Sequence, residues 1–406
     1  MTRKHLILLL GAVTLFSAAC HRIEEPAGGT VTLTFHAGEP ATRAETPGDG
    51  NVADGGGIYC TAVESGTPPD VTVTPDLVIF IANEDGIIKR YPGDGTLVEN
   101  DYVEGTTAGI GRATTLSISF NFTAGQVGSY SVFAVANKGG SGGTINIPDL
   151  SSISSISELN DLIIDLNAAD ASPEVGGRMP LSAMGTLNVA QGLYGKFNGL
   201  LELEMLRCVA KVQLSFINLT GAALDLHNCQ IKFKDMDTRQ AWLFQRDPDF
   251  VERGDSNTDG KDDNYRDYDT STTAAIANLI QFPAADNPAT TDVDERVKDA
   301  FDSPLLFFPS IAPMQSVPSA GKRYLCDISF RIKKASAENY DPDNSSTYEE
   351  KTFTDLPIHN RYSQDILALS RNQYLQIETT ISKGGNVSFN FIVNNWTPHN
   401  PKVIFN

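Results

Sequence analysis

The chain has 406 residues, with 31 Lys and Arg against 50 Asp and Glu, which gives a formal net charge of −19 at pH 7. A surface that binds phosphates is basic, so this balance argues against nucleic-acid binding and suits a soluble extracellular protein. The length allows two domains of ordinary size, and five Cys in such a chain exclude a dense disulfide framework, although one bridge remains open.

The first residues have the order of an export signal. A basic pair at positions 3–4 precedes an apolar run at 6–16, and three small residues follow at 17–19. Small side chains are what a signal-peptide cleavage site admits, and the apolar run is too short to cross about 30 Å of hydrocarbon as a permanent helix. We therefore expect residues 1–19 to be a signal peptide that is removed.

Cys20 directly follows these small residues, and an ordinary signal peptide does not need it. The segment LFSAAC resembles a lipobox, in which the thiol takes a diacylglycerol and the peptide is cut just before the cysteine. One departure is Ser17, which stands where Leu or Val is more usual. The resemblance implies a bacterial protein tied to a membrane through Cys20, with ordinary secretion as the alternative.

Most of the remaining chain has the pattern of short strands separated by turn clusters, a spacing typical of β-sandwiches. The first strand is TVTLTFHA at 30–37, in which Val31, Leu33 and Phe35 alternate onto one face. Further apolar or alternating runs predict strands at 77–82, 115–122 and 129–136.

Two segments predict helices. Ser155 and Glu158 have capping-box spacing, and apolar residues follow at i, i+3, i+4 and i+7, namely Leu159, Leu162, Ile163 and Leu166. This pattern predicts an amphipathic helix that packs on a sheet. A second, weaker helical pattern occupies DVDERVKDAF at 292–301.

The β pattern restarts near residues 200–205, and we place a domain boundary there, which predicts domains at 44–203 and 204–406. Residues 235–300 are acidic and rich in Asp, Asn and Thr, and we interpret them as an inserted loop region. Strand patterns return in LLFFPSI, YLCDISFRI, QYLQIETTI and VSFNFIV. The prediction is a mainly β chain of two β-sandwich domains with one or two short helices.

One stretch, DSNTDGKDDNYRD at 255–267, has the spacing of the first half of a calcium-binding loop. The oxygen-bearing residues at loop positions one, three, five and nine are Asp255, Asn257, Asp259 and Asp263. Arg266 stands at position twelve, where a bidentate carboxylate belongs. A structural calcium ion and a merely solvated turn are both compatible with this sequence.

The chain offers little for catalysis, and we expect no enzymatic activity. It contains no HExxH and no phosphate loop, and its one GxSxG match is the glycine-rich turn GGSGG at 139–143. His227 and Cys229 could share one strand face, but no third group that would orient such a pair is evident. The aromatic and acidic residues around Tyr265, Tyr268 and Asp269 are compatible with a carbohydrate site and equally with ordinary loop residues.

Several short stretches resemble the fimbrillin superfamily, the subunits of type V pili, in the family's order along nearly the whole chain. They are MPLSAMG before the domain junction, LEMLRCVAKVQL at the start of the second domain, LSRNQYLQIETTI late in the chain, and FNFIVNNW near its end. The resemblance implies two transthyretin-like β-sandwich domains and a structural role. It also implies other pilin subunits as partners, and an arginine-specific protease that cuts the lipidated precursor at the outer surface.

The resemblance places that cut in GEPATRAETP, between Arg43 and Ala44. The Pro-, Thr- and Glu-rich composition of this segment suits an exposed loop, although an ordinary surface arginine is the alternative. The cut would remove a lipidated propeptide, residues 20–43, and with it the strand at 30–37. An apolar groove and unpaired backbone groups on the neighbouring strands would be left, which together form a template for a strand from another subunit.

The predicted donor of that strand is the tail PKVIFN, in which Val403 and Phe405 alternate around Ile404. The alternative is that this tail completes its own sandwich. Stalk, tip and anchor subunits are not separated by these features.

Two functions of different classes follow from the sequence. The first is a subunit of a surface fimbrium that serves adhesion and is exported through the periplasm to the outer membrane. The second is an uncleaved surface lipoprotein, either a fimbrial anchor or a protein that binds a host glycan or protein receptor, and it would not polymerise.

Overall fold

The structure is a computed structural model that is mainly β, as predicted. It describes residues 28–37, 57–65, 70–104, 109–138, 145–166, 179–191, 197–222, 224–269, 297–299, 305–315, 321–360, 362–382 and 386–395. Outside these ranges lie the sequence-predicted residues Cys20, Arg43, Ala44, Val403, Ile404 and Phe405. Among the described helices, none combines the length and the apolar composition that a membrane crossing requires.

The described chain contains 28 strands, one α-helix and one 3-10 turn. The first sixteen strands are β1 Gly29–His36, β2 Ile58–Ser65, β3 Asp70–Pro75, β4 Leu77–Asn83, β5 Gly86–Tyr91, β6 Gly95–Asn100, β7 Val103–Glu104, β8 Ile110–Ala113, β9 Thr115–Phe122, β10 Gly128–Ala136, β11 Ile145–Asn146, β12 Ile163–Leu166, β13 Leu181–Gln191, β14 Phe197–Asn198, β15 Leu200–Glu204 and β16 Leu206–Arg207. The helix α1 is Ile156–Asn160, and the 3-10 turn is Ala124–Gln126.

The remaining twelve strands belong to the second half of the chain. They are β17 Ala210–Asn218, β18 Leu224–Thr238, β19 Gln240–Trp242, β20 Tyr265–Asp269, β21 Val297–Asp299, β22 Leu305–Phe307, β23 Ser310–Ile311, β24 Leu325–Lys333, β25 Tyr348–Pro357, β26 Ala368–Leu369, β27 Gln373–Ile381 and β28 Val387–Asn395.

The first half of the chain forms a β-sandwich. One sheet has the order β15-β1-β9-β6, and the facing sheet has the order β14-β13-β10-β4-β5, with β16 also paired to β13. Alternating side chains from both sheets share one core, because every second residue of a strand points to the same face. Leu116, Ile118 and Phe120 of β9 meet Ile79 of β4 and Val132 of β10 in that core. A smaller sheet, β3-β2-β8-β7, contributes Ile58, Cys60 and Ala113 to the same core.

The second half forms another two-sheet core. The sheet β21-β17-β27-β28 has β22 also paired to β17, and the other sheet has the order β20-β18-β24-β25. β17 and β27 run parallel, with Val212 opposite Leu375 and Leu214 opposite Ile377. Buried residues from both sheets fill the space between them, among them Phe216, Phe233, Cys326, Ile328 and Phe330.

A third core joins the two sandwiches. Phe80 and Phe133 point away from the first core, and they pack with Leu159 of α1 and with Phe244 and Phe308 from the second half of the chain. The small sheet β11-β12-β19 also draws its strands from both halves. Apolar side chains from both sides of the predicted domain boundary are therefore buried together, and their removal from water stabilises the junction.

The first predicted helix begins where expected and ends early. The Oγ of Ser155 accepts the N–H of Glu158 at 3.2 Å, and Oε2 of Glu158 accepts the N–H of Ser155 at 3.1 Å, which is a complete capping box. The helix ends at Asn160, and Ile163–Leu166 is the strand β12, so the helical pattern over these residues was wrong. Residues Ile163–Leu166 pair with β11 and β19 instead of continuing the helix. A short helix is only marginally stable by itself, so strand pairing decided the conformation of these residues.

The second predicted helix, at 292–301, is also wrong in its described part. Residues Val297–Asp299 form β21, which pairs antiparallel with β17. The predicted loop region at 235–300 likewise contains β19 and β20.

Candidate functional site

β1 lies in the interior of its sheet. It pairs antiparallel with β9 over its whole length, from Gly29 opposite Phe122 to His36 opposite Thr115. On its other side it pairs parallel with β15, from Thr32 opposite Leu200 to His36 opposite Glu204. We call the space that β1 occupies between β9 and β15 the slot. Within the described chain β15 has no sheet partner other than β1, so emptying the slot would leave both neighbours with unpaired backbone groups.

The inner face of β1 fills the slot with apolar side chains. Val31, Leu33 and Phe35 have no exposed surface, and all three belong to the core of the first sandwich. The fit is close at Gly199, where an added Cβ would lie 2.8 Å from Cγ1 of Val31. Burial of a large aliphatic or aromatic side chain contributes about 1.5–3 kcal/mol, so the three together contribute about 5–9 kcal/mol.

The outer face of β1 is polar and carries hydroxyl groups that match those of β9. The hydroxyls of Thr32 and Ser119 are 2.9 Å apart, and those of Thr34 and Ser117 are 3.0 Å apart. Neither of these hydroxyl pairs involves a charged side chain. Neutral hydrogen bonds of this kind contribute about 1 kcal/mol each, so most of the attachment comes from the inner face and the backbone ladder.

The segment that contains Arg43 leaves and rejoins the sandwich at one point. The N–H of Gly57 donates to the carbonyl of Ala37 at 2.8 Å, so residues 38–56 connect two hydrogen-bonded positions. Asn137 holds the start of β2, directly after Gly57. Its side chain accepts the N–H of Tyr59 at 2.8 Å and donates to the carbonyl of Met179 at 2.9 Å.

Asn137 is buried and has a φ of 60°, a left-handed conformation that Asn tolerates better than most residues. Its side chain contacts β2 and the chain before β13, and none of its hydrogen bonds goes to β1. Sequence reasoning missed this residue, although an Asn directly after a strand was a usable signal.

A buried ion pair of the second half of the chain lies at the junction between the two sandwiches. Arg371 is fully buried, and its guanidinium donates to both carboxylate oxygens of Asp249 at 2.6 and 2.7 Å. It also donates to the carbonyl of Leu243 at 3.1 Å and to Oγ of Ser182 on β13 at 3.3 Å. The guanidinium therefore has hydrogen-bond acceptors from both halves of the chain. The motif LSRNQY alone did not indicate this structural role of Arg371.

The predicted calcium loop is closed by its own backbone. Asp255 accepts the N–H of Gly260 at 2.8 Å, Asn257 accepts the N–H of Asp259 at 2.9 Å, and Asp263 accepts the N–H of Ser256 at 3.0 Å. Across the residues that the structure describes, no three Asp, Glu, His or Cys side chains come together as metal ligands. Calcium binding by Asp255, Asn257, Asp259 and Asp263 stays a prediction.

Arg266, the residue that breaks the calcium pattern, has a structural partner. Its Nε donates to Oδ2 of Asp237 at 2.6 Å, and both side chains are buried. The other oxygen of Asp237 accepts the N–H groups of Thr238 and Phe308, each at 2.8 Å. An inward ion pair of this kind explains why position twelve of the loop carries no carboxylate.

The tyrosines proposed for a carbohydrate site pack against the protein. The hydroxyl of Tyr265 donates to the carbonyl of Ile311 at 2.7 Å, and its ring lies 5.0 Å from that of Phe250. The ring of Tyr268 lies 5.4 Å from that of Phe307. Each ring packs against one neighbouring ring and stays half-buried, and a carbohydrate site at these residues stays a prediction.

Cys60, Cys208 and Cys326 are buried and unbridged. Burial raises the pKa of the Cys60 thiol to about 12, and it also raises the pKa of Cys208 and of Cys326. These three side chains therefore stay as neutral thiols, which are poor nucleophiles. The side chains of His227 and Cys229 lie outside the described residues. A cleft of about 380 Å³ beside β15 is lined by Ser182, Ala183, Met184, Glu204, Leu206, Gln245, Arg246 and Asp247, none of which is a His or Cys.

No protein-family model and no curated protein matches the chain. Among solved structures, the chain is similar to a fimbrilin from Porphyromonas gingivalis at 10% identity and a TM-score of 0.46, covering 91% of this chain and 98% of that one. It is also similar to a tip fimbrial protein with a C-terminal truncation from the same organism, at 10% identity and a TM-score of 0.42, covering 90% and 100%. At these identities and scores the likeness decides nothing about function.

Proposed function

We propose that this chain is a non-enzymatic structural subunit of a cell-surface fimbrium. It is exported as a lipoprotein held to the outer membrane through Cys20, and an arginine-specific protease cuts it after Arg43. The cut releases β1, and a strand from another subunit then enters the slot. The observation that supports this proposal is β1 itself. It is an interior strand, and its covalent connection to the rest of the sandwich runs through residues 38–56.

The cut changes the binding of β1 from an intramolecular to a bimolecular event. While the chain is whole, the short connection holds β1 at a high effective concentration beside the slot. After the cut, rebinding costs an estimated 4–15 kcal/mol of translational and rotational freedom, which is comparable with the 5–9 kcal/mol from Val31, Leu33 and Phe35. A strand that is covalently part of a neighbouring subunit, for which we propose residues 403–405, can then replace it.

The lipid makes the release directional. Cys20 and β1 belong to the same fragment, residues 20–43, so the cut leaves the propeptide in the membrane and frees the sandwich from it. In this mechanism the slot stays closed during export, which protects two open strand edges from premature pairing.

Arg43→Ala should leave the protein lipidated, membrane-bound and monomeric, because the protease loses its basic recognition residue. The measurement is the size of the cell-surface protein and its appearance as an SDS-resistant ladder. Arg43→Lys serves as the matched control, since it keeps the charge and tests arginine specificity. Mature-sized protein and a normal ladder from Arg43→Ala would contradict processing at this site, and a wild-type chain that stays uncut would favour the anchor alternative.

A further inference from the structure

The slot has an acidic outer rim on its β15 side. Leu200, Glu202 and Glu204 are the register partners of Thr32, Thr34 and His36, so these three pairs lie side by side on the outer face of the sheet. Paired strands are about 4.8 Å apart, which brings each outer side chain of β1 next to one rim side chain. Leu200 is 70% exposed, and Glu202 is also exposed.

The two rim carboxylates form no ion pair among the residues that the structure describes, although Glu204 lines the cleft beside β15 together with Arg246. Neither Glu202 nor Glu204 takes part in any of the described ion pairs, and the opposite rim, formed by β9, presents the neutral residues Ser117, Ser119 and Asn121. β1 presents Thr34 and His36 to these carboxylates, and it contains no Lys or Arg. β1 therefore forms no ion pair with the rim that an incoming strand would have to replace.

We infer that Glu202 and Glu204 select the incoming strand by charge, favouring one with Lys or Arg at the positions of Thr34 and His36. This inference rests on strand exchange in the proposed function, and it names the chemistry of the preferred partner: apolar residues inward and basic residues outward. The tail meets this description in part, since Val403 and Phe405 inward place one basic residue, Lys402, outward. Opposite charges on adjacent strands attract, and like charges repel. An acidic outward residue would meet the rim carboxylates and also the chain's net charge of −19.

The test uses the full chain cut within residues 38–56, with the β1 fragment still bound, and measures displacement of that fragment by peptides in excess. Three peptides keep residues 28–37 and differ only at two positions, carrying Lys, Gln or Glu in place of both Thr34 and His36. We expect the basic peptide to displace β1 at about one tenth of the concentration that the neutral peptide needs, and the acidic peptide to be weaker than the neutral one by a similar factor.

Glu202→Gln with Glu204→Gln should remove the difference among the three peptides. Glu64→Gln with Glu338→Gln is the matched control, because it removes the same charge from exposed positions outside the sheet that contains β1. Raising the salt concentration to 1 M should also narrow the difference, since the Debye length then falls to about 3 Å. Equal displacement by all three peptides would overturn the charge selection and leave strand exchange standing, whereas displacement by none would overturn the proposed function.

Discussion

Replacing both Leu33 and Phe35 by alanine should lower the free energy of unfolding of the uncut protein by about 5–10 kcal/mol. Both side chains are fully buried in the slot, where truncation of a Leu costs about 2–5 kcal/mol and truncation of a Phe about 3–5 kcal/mol. A loss of that size is comparable with the whole stability of an ordinary domain, about 5–15 kcal/mol. Urea unfolding followed by circular dichroism measures it, and the first sandwich should unfold in a separate early transition.

The matched control for this prediction is Thr32→Ala with Thr34→Ala, on the outer face of the same strand. Those changes delete two hydroxyl contacts and leave the core intact, so the expected loss is about 1–3 kcal/mol. If the inner-face pair cost no more than the outer-face pair, β1 would not be an integral strand of the sandwich.

Arg371→Met should lower the free energy of unfolding by about 3–5 kcal/mol. The change leaves the carboxylate of Asp249, which is only 10% exposed, without its bidentate partner, and it removes a donor from the carbonyls of Trp242 and Leu243. Because Arg371 also donates to Oγ of Ser182 in the first half of the chain, we expect its loss to weaken the junction and unfolding in urea to separate into two transitions.

The second variant for this prediction is Arg371→Met combined with Asp249→Leu. It removes both charges and should recover part of the loss, because the cost of an unpaired buried carboxylate disappears. Arg253→Met, at an exposed position, is the surface control and should cost less than about 1 kcal/mol. An Arg371→Met protein as stable as this control would contradict a structural role for the junction pair.

The inward direction of Val31, Leu33 and Phe35 was predictable from the sequence because it depends only on the two-residue period of a strand. The neighbours of β1 were not, since β9 and β15 lie about 80 and 170 positions away, and no local pattern encodes such pairings. Arg371 and Asp249 are likewise 122 positions apart. Sequence reasoning therefore predicted what occupies the slot and left open what encloses it.

The errors at α1 and at 292–301 have a common physical cause. In both places a short helical spacing competed with strand pairing, and a helix of one or two turns gains little from propensity alone. The capping box at Ser155 and Glu158 was predictable because it depends on residues three apart. Where the helix ended was decided by β11 and β19, which are distant partners.

If β1 is a separable strand whose slot accepts another strand, the cut protein should exchange it. The protein is cut within residues 38–56 and incubated under native conditions with an isotopically labelled copy of residues 28–37, and native mass spectrometry follows the complex. We predict that one labelled peptide per molecule replaces the original fragment, and that the uncut protein takes up none. Retention of the original fragment, with no uptake of label by folded cut protein, would show that the slot does not accept a second strand.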